Sequence, residues 1–165
     1  MKFLSEGIFF KFAVDQFKVY SDDGLAGKAA LLELKGLKAY ANISPKLKSP
    51  IAKKLRFPFM VLINYLGYRI LATPLLPINK ESTLIYGSSN AGETVHSDDQ
   101  EFNALMIEAA SFLGIKEHGV GNSTSDSDTS PLKLLAGPVD IEGHKGLDGR
   151  YYLLDTVRRF PFPID

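Results

Sequence analysis

Cysteine is absent from all 165 residues, which excludes a disulfide framework and every cysteine-based metal site. The three histidines, His96, His118 and His144, lack the paired spacing of zinc motifs and read as structural residues, so no metal site and no cofactor are expected. No Gly-x-Ser-x-Gly nucleophile motif and no histidine-aspartate catalytic signature of the kinase type occurs. A membrane span is also missing: residues 58–78 have the length of one, but Asn64, Gly67, Arg69, Pro74 and Pro77 break it. At the N-terminus, Glu6, Lys11 and Asp15 interrupt the apolar core that a secretory signal requires. A reducing compartment is permitted, and the cytoplasm is the neutral assignment.

One further absence divides the chain. Between Leu34 and Lys80 there are nine Lys or Arg residues and no acid, whereas residues 81–148 hold twelve acids against Lys116, Lys133 and Lys145. The two regions thus carry +9 and −9, although net charge over the whole chain is zero. Such asymmetry fits either an anionic partner for the first region or two regions that face each other in the fold. With 45% apolar residues, a chain of this length is expected to form one domain with a real core.

The final 27 residues organise the rest. Extended segments Val139 to Lys145 and Arg150 to Thr156 flank Gly146, Leu147, Asp148 and Gly149, and Asp-Gly supplies the positive φ angles of a tight hairpin turn. The second segment is apolar on both faces until Asp155, which is expected at the strand edge, capping the following turn rather than holding a metal ion or orienting a catalytic group. Phe57 to Tyr65 and Tyr68 to Leu76 predict a second hairpin around Leu66-Gly67, ended by Pro74 and Pro77. Thr83 to Tyr86 predicts a short strand. Ser97-Asp98-Asp99-Gln100 has capping-box spacing before a helix whose apolar face is Phe102, Leu105, Met106, Ala109 and Leu113, ending at Gly114.

At the N-terminus, Phe9, Phe12, Ala13, Phe17 and Tyr20 have helical spacing, predicting a helix over residues 7–20. A second helix, capped by Asp22 or Asp23, would bury Leu25, Ala29, Leu32, Gly36 and Ala39. Residues 42–56, with Pro45 and Pro50, read as a solvated, mobile loop, and residues 119–131 as a flexible Ser/Thr/Asp/Gly insertion within the single domain 1–165. The fold class predicted is α+β: mainly antiparallel sheet of β-hairpins packed with about three helices.

Two stretches carry candidate chemistry. Residues 87–94 have the glycine spacing of a P-loop, but Glu93 replaces the phosphate-contacting Lys and the following helix starts too late to aim its dipole there, so ATP is not expected in this loop. Lys46, Lys48, Lys53, Lys54 and Arg56, beside Phe57, are the candidate nucleic-acid contacts, offering phosphate attraction and one stacking ring. Glu142, Asp148 and Asp155 are carboxylates that no pattern places across a substrate. Helix residue Glu33, the strands after it and the apolar strand ending in Asp155 follow the order of a kinase-like fold, in which such an Asp binds magnesium. The alternative function is therefore a divergent kinase-like or nucleotide-binding domain without activity.

The closing segment D-I-E-G-H-K-G-L-D-G-R-Y-Y-L-L-D-T-V-R-R-F-P resembles the end of the Clu domain of the clustered mitochondria protein family. Blocks at Glu6 to Asp15, Ile63 to Ile70, Ile85 to His96 and Leu113 to Val120 match the same family in order. The matched motif positions include Tyr65, Gly67, Tyr68, Arg69, Gly87, Ser88, Gly92, His118, Gly146, Asp148, Gly149, Arg150, Asp155 and Arg158, all of unknown role. Asn64 stands where the family usually has Asp, and the family domain has additional sequence upstream. The resemblance implies a non-enzymatic, cytoplasmic interaction module acting in mitochondrial distribution. Its implied partners are messenger RNAs for mitochondrial proteins or ribosome-associated proteins, with purely protein–protein interaction as an alternative. It supplies no catalytic residues.

Overall fold

The computed structural model describes residues 1–14, 23–79, 81–90, 92–121 and 132–156, with side chains from residue 25 onward in the second of these segments. The chain opens with a hairpin, β1 (Lys2–Ser5) and β2 (Ile8–Phe12), the second strand falling where a helix was expected. Glu6 and Gly7 both take positive φ, 50° and 74°, as a tight two-residue hairpin turn demands. Once that turn forms, Ile8, Phe10 and Phe12 share one face of the strand and Phe9 and Lys11 the other. The aromatic spacing that suggested a helix thus serves a strand, and Phe3 stacks on Phe10 at 4.7 Å. Phe17 and Tyr20, the rest of the expected stripe, lie outside the described residues.

Helix α1 (Asp23–Ile43) forms as expected, but its buried face is rotated. Ala26, Ala30, Leu37 and Tyr40 are buried, whereas Leu32 is 51% exposed; of the expected stripe only Gly36 is buried. Gly27 explains part of this rotation, because a Cβ there would lie 2.9 Å from the Arg69 side chain. Small residues let the helix approach the sheet closely. The candidate cap Asp22 lies outside the described residues.

Residues 42–56 are ordered rather than a solvated loop. After α1 come two 3-10 turns, Ser44–Lys46 and Pro50–Lys54, each with Pro at its start, and then β3 (Leu55–Arg56). Ile51, Ala52 and Leu55 are buried, with Leu47 packed against them, so apolar residues four apart anchor the segment.

The second hairpin is β4 (Val61–Tyr65) and β5 (Tyr68–Pro74), turning at Leu66 and Gly67 with φ of 47° and 83°. It joins the first in a four-stranded sheet, β1-β2-β5-β4. A second sheet contains β6 (Leu84–Gly87), β7 (His96–Ser97), β10 (Glu142–Lys145) and β11 (Tyr151–Leu154), in the order β3-β11-β10-β6-β7. All its pairings are antiparallel except β3 with β11. Between β5 and β6 the chain passes from the first sheet to the second, and residues 75–79 begin that passage.

Helix α2 (Gln100–Leu113) packs on the second sheet. Its cap is Asp99, whose carboxylate accepts from the Phe102 N–H at 3.0 Å, two residues later than the expected Ser97, which belongs to β7. Gly114 closes it at φ 71°. Phe102, fully buried, touches Tyr86 and Tyr151 with ring centroids 5.5 Å away in each case. Gly143 leaves the space for it, since a Cβ there would lie 2.4 Å from that ring. Gly119 and Val120 belong to β8 (His118–Val120), paired with β9 (Lys133–Leu135), and not to a flexible insertion. Residues 122–131 of that expected insertion lie outside the described residues. The architecture is α+β with mainly antiparallel sheet and, among the described residues, two α-helices rather than about three.

Candidate functional site

The basic segment is held by a carboxylate from α2. Glu108 accepts the Lys48 N–H at 2.7 Å and the Ser49 N–H at 3.1 Å, which docks the turn before Pro50. With Leu47, Ile51 and Leu55 directed inward, Lys46, Lys48, Lys53, Lys54 and Arg56 all stay exposed. The Arg56 guanidinium donates to the carbonyls of Lys53 and Leu55 at 2.7 and 2.9 Å, so it also stiffens the segment. Phe57 is half-buried against the core; the ring exposed here is Phe59, at 77%. Alternation around buried Pro58 is the signal that would have found it.

None of these five cations enters an ion pair among the described residues. The ion pairs there are His96–Asp98, Lys133–Asp98, His144–Glu142, Lys145–Asp99 and Arg150–Asp148, all within residues 96–150. Burial pushes the Asp98 carboxyl up, but the Lys133 ammonium and His96 outweigh it and leave its pKa below the ordinary value.

The family-motif residues fall into four places. Tyr65, Gly67 and Tyr68 form the exposed tip of the β4–β5 hairpin, Tyr68 edge-on to Phe12 at 5.7 Å, and Arg69 lies against Gly27 of α1. Gly87, Ser88 and Gly92 build a loop closed on itself. The buried Ser88 hydroxyl donates to Asn90 Oδ1 at 2.9 Å and accepts the N–H groups of Asn90 and Gly92, while Asn90 Oδ1 also accepts from the Thr94 N–H. Donors that would cradle a phosphate are thus engaged within the loop, and helix α2 begins only at Gln100.

Gly146, Asp148, Gly149 and Arg150 form the β10–β11 turn, with Gly149 at φ 74°. The Asp148 carboxylate accepts from the Arg150 N–H at 3.1 Å and from the Tyr152 hydroxyl at 2.8 Å, so its role is to fix the turn. His118 is exposed with Nδ1 3.1 Å from the Lys116 carbonyl, and buried His144 bridges Thr83 and Glu142. Glu142, Asp148 and Asp155 are not gathered around one point: the first two are engaged as described. Arg158 lies outside the described residues.

Asp155 stands apart. It follows β11 at φ 47°, a left-handed conformation that costs a residue with a side chain about 1–2 kcal/mol. It is exposed, and it lines a cleft of about 280 Å³ between the two sheets. Glu33 of α1 lines the same cleft. Lys2, Phe9 and Lys11 from the first hairpin, Leu71 and Thr73 from β5, and Leu75, Leu76 and Ile78 from the connecting segment complete most of the wall. Lys2 and Lys11 were not expected in a site; Lys11 lies in the stretch that predicts a helix, and Lys2 precedes it.

An α+β domain built mainly on two sheets, between which the chain passes three times, with a basic edge and a mixed-charge cleft, is the class of protein that these features define. The family model for clustered mitochondria matches residues 1–165, and the chain belongs to that family. It is 34% identical over 151 residues to a clustered mitochondria protein homolog from Caenorhabditis briggsae, covering 89% of this chain and 11% of that protein. It is 39% identical over 106 residues to the clustered mitochondria protein of Arabidopsis thaliana (62% and 7%) and 30% identical over 166 residues to protein clueless of Drosophila ananassae (96% and 11%). The chain thus spans about a tenth of the length of these relatives. No solved structure matches it. No helix among the described residues is long and apolar enough to cross a membrane.

Proposed function

We propose that this domain is a non-enzymatic interaction module of a clustered mitochondria protein, working in the cytoplasm in mitochondrial distribution and contacting messenger RNA through the basic segment. The observation that carries this reading is the distribution of ion pairs. Every described ion pair is made within residues 96–150, and none reaches Lys46, Lys48, Lys53, Lys54 or Arg56, which face solvent. Five exposed cations on one short segment, with the exposed Phe59 ring three residues further on, are what a single-stranded nucleic acid uses: phosphate attraction plus stacking.

The test is the salt dependence of single-stranded RNA binding. With roughly three to five phosphates neutralised, the log-log slope should be about −2 to −3.5, at ~0.7 per contact. Because Arg56 also caps backbone carbonyls, the cleaner variant is Lys46→Glu with Lys53→Glu and Lys54→Glu, which should abolish binding with an unchanged melt. RNA binding undetectable at low salt would replace this reading with a protein–protein module that engages ribosome-associated proteins.

A further inference from the structure

The four-stranded sheet is patterned the wrong way round for a surface that meets water. An antiparallel sheet with one wet side normally turns its apolar residues inward and its polar ones outward. Here the side that faces α1 and the cleft carries Lys2, Lys11, Thr73 and Arg69 beside Phe9 and Leu71. On the opposite side the register sets Phe3, Phe10, Ala72 and Val61 in one row across all four strands. Phe12, Ile70 and Ile63 form the next row, and Tyr68 and Tyr65 extend it at the hairpin tip. None of these side chains is charged. The recorded ring contacts here are made within the side itself: Phe3 stacks on Phe10 at 4.7 Å, and Phe12 meets Tyr68 edge-on at 5.7 Å. The side stays open, with Phe3 44%, Val61 38%, Tyr65 61% and Tyr68 53% exposed.

We propose that this side is a self-association surface, on which a second copy of the chain packs sheet to sheet about a two-fold axis. The area is sufficient. Phe3, Tyr65 and Tyr68 alone leave roughly 300 Å² uncovered, at about 200 Å² per aromatic side chain. With Ile8, Val61 and the half-buried Phe10, Phe12 and Ile63, the side offers roughly 500 Å², so two copies bury about 1,000 Å², the level at which specific interfaces begin. The charge fits as well. A two-fold axis brings identical surfaces together, and these rows bring no like charges with them, while the whole chain has no net charge to hold copies apart. A broad antiparallel sheet is complementary to its own copy, packing about 10 Å away with strands about 30° apart. Nucleic acid finds no cation among these rows, so the surface is distinct from the basic segment.

Sedimentation velocity of the whole chain should show a reversible monomer–dimer equilibrium with a micromolar dissociation constant, as an interface of this modest size gives. Tyr65→Glu and Tyr68→Glu should each weaken the dimer by at least about tenfold, because the two-fold axis buries two new carboxylates in one apolar interface. Leu147→Glu, at the β10–β11 turn and 77% exposed, should leave it unchanged. Because the chain has no cysteine, single thiols report the surface directly. Val61→Cys should react slowly with a thiol reagent at dimer concentrations and quickly on dilution, whereas Leu147→Cys should react quickly at both. If Tyr68→Glu fails to fold, Tyr65→Glu, whose ring makes no recorded ring contact, still decides the matter. The lysine triple variant at positions 46, 53 and 54 should dimerise normally, so loss of RNA binding and loss of self-association are distinguishable. A dimer indifferent to both tyrosine variants, or one that leaves position 61 reactive, overturns the proposal. So does a monomer at every concentration, which would give the side to another occupant, such as a further segment of a protein as long as the relatives.

Discussion

Gly87 and Gly149 both sit at positive φ, 85° and 74°, yet alanine at the two positions should behave very differently. At Gly149 an added Cβ meets nothing within 4 Å, so the cost is backbone strain alone, about 1–2 kcal/mol. At Gly87 the same atom would fall 1.6 Å from the Ile141 carbonyl oxygen, far inside the 3.0 Å below which real Cβ contacts essentially never occur. The obstacle is backbone, not a flexible side-chain end. That carbonyl accepts the Ser88 N–H at 3.2 Å, Glu142 pairs with Gly87 in the β6–β10 ladder, and Ile141 itself is fully buried. Relieving the clash therefore breaks one or two hydrogen bonds, at about 1 kcal/mol each, on top of the strain. Gly87→Ala should cost about 2–4 kcal/mol in urea unfolding, a large share of the ~5–15 kcal/mol typical of a whole domain. With about 2–4 °C lost per kcal/mol in a chain of this size, its melting point should fall well below that of Gly149→Ala. Equal midpoints for the two variants would refute the reasoning, because strain would then be the whole effect and the Ile141 contact would carry none.

Tyr40 is 2% exposed, its hydroxyl has no partner among the described residues, and burial pushes its pKa up to about 12. Tyr40→Phe should thus be neutral or stabilise by up to about 1 kcal/mol; a clear loss of thermal stability would mean that the hydroxyl is satisfied after all. Glu108→Ala frees the Lys48 and Ser49 N–H groups and should cost about 1–3 kcal/mol, with faster amide exchange confined to residues 47–54; an unchanged exchange pattern would deny the docking role. The folded-state pKa of Asp98 is depressed below 3.8, so its stabilisation is present above the unfolded value and lost as pH falls through the folded one. Urea midpoints should therefore drop on acidification below about pH 4, and Asp98→Asn should flatten that slope by a small amount, since Lys133 and Asp98 are each nearly half exposed.

The sequence pattern was most legible where one period dominated. In α2, Phe102, Leu105, Met106 and Ala109 permit no strand reading, and all four are buried as expected. The Leu66-Gly67 turn was equally plain, whereas at Asp148-Gly149 only the glycine takes positive φ, because residues 146–150 form a longer connection than a two-residue turn. In the first fourteen residues two periods overlap: Phe9, Phe12 and Ala13 fit a helix, while Ile8, Phe10 and Phe12 fit a strand. What decides between them is the Glu6-Gly7 turn, a weaker signal than Asn-Gly or Asp-Gly. The segment 42–56 was hidden by its charge, because five cations and two prolines concealed Leu47, Ile51 and Leu55 at intervals of four.

Site legibility followed from the same errors. Glu33 and Asp155 could be singled out by the order of elements, whereas Lys2 and Lys11 could not, since only the hairpin register makes them partners and only the meeting of two sheets brings them near residue 155. The charge asymmetry was visible from the start, but its meaning was open. Had the acid-rich region neutralised the basic one, ion pairs would bridge residues 34–80 and 81–148; instead each described pair lies within 96–150, three of them joining residues only two apart. Local pairing costs little chain entropy and leaves the long lysines at 46–54 unspent. The run of cations at 46–56 is the anion-seeking feature that sequence alone displays, and the fold keeps it exposed because Leu47, Ile51 and Leu55 take the apolar side of the same segment into the core.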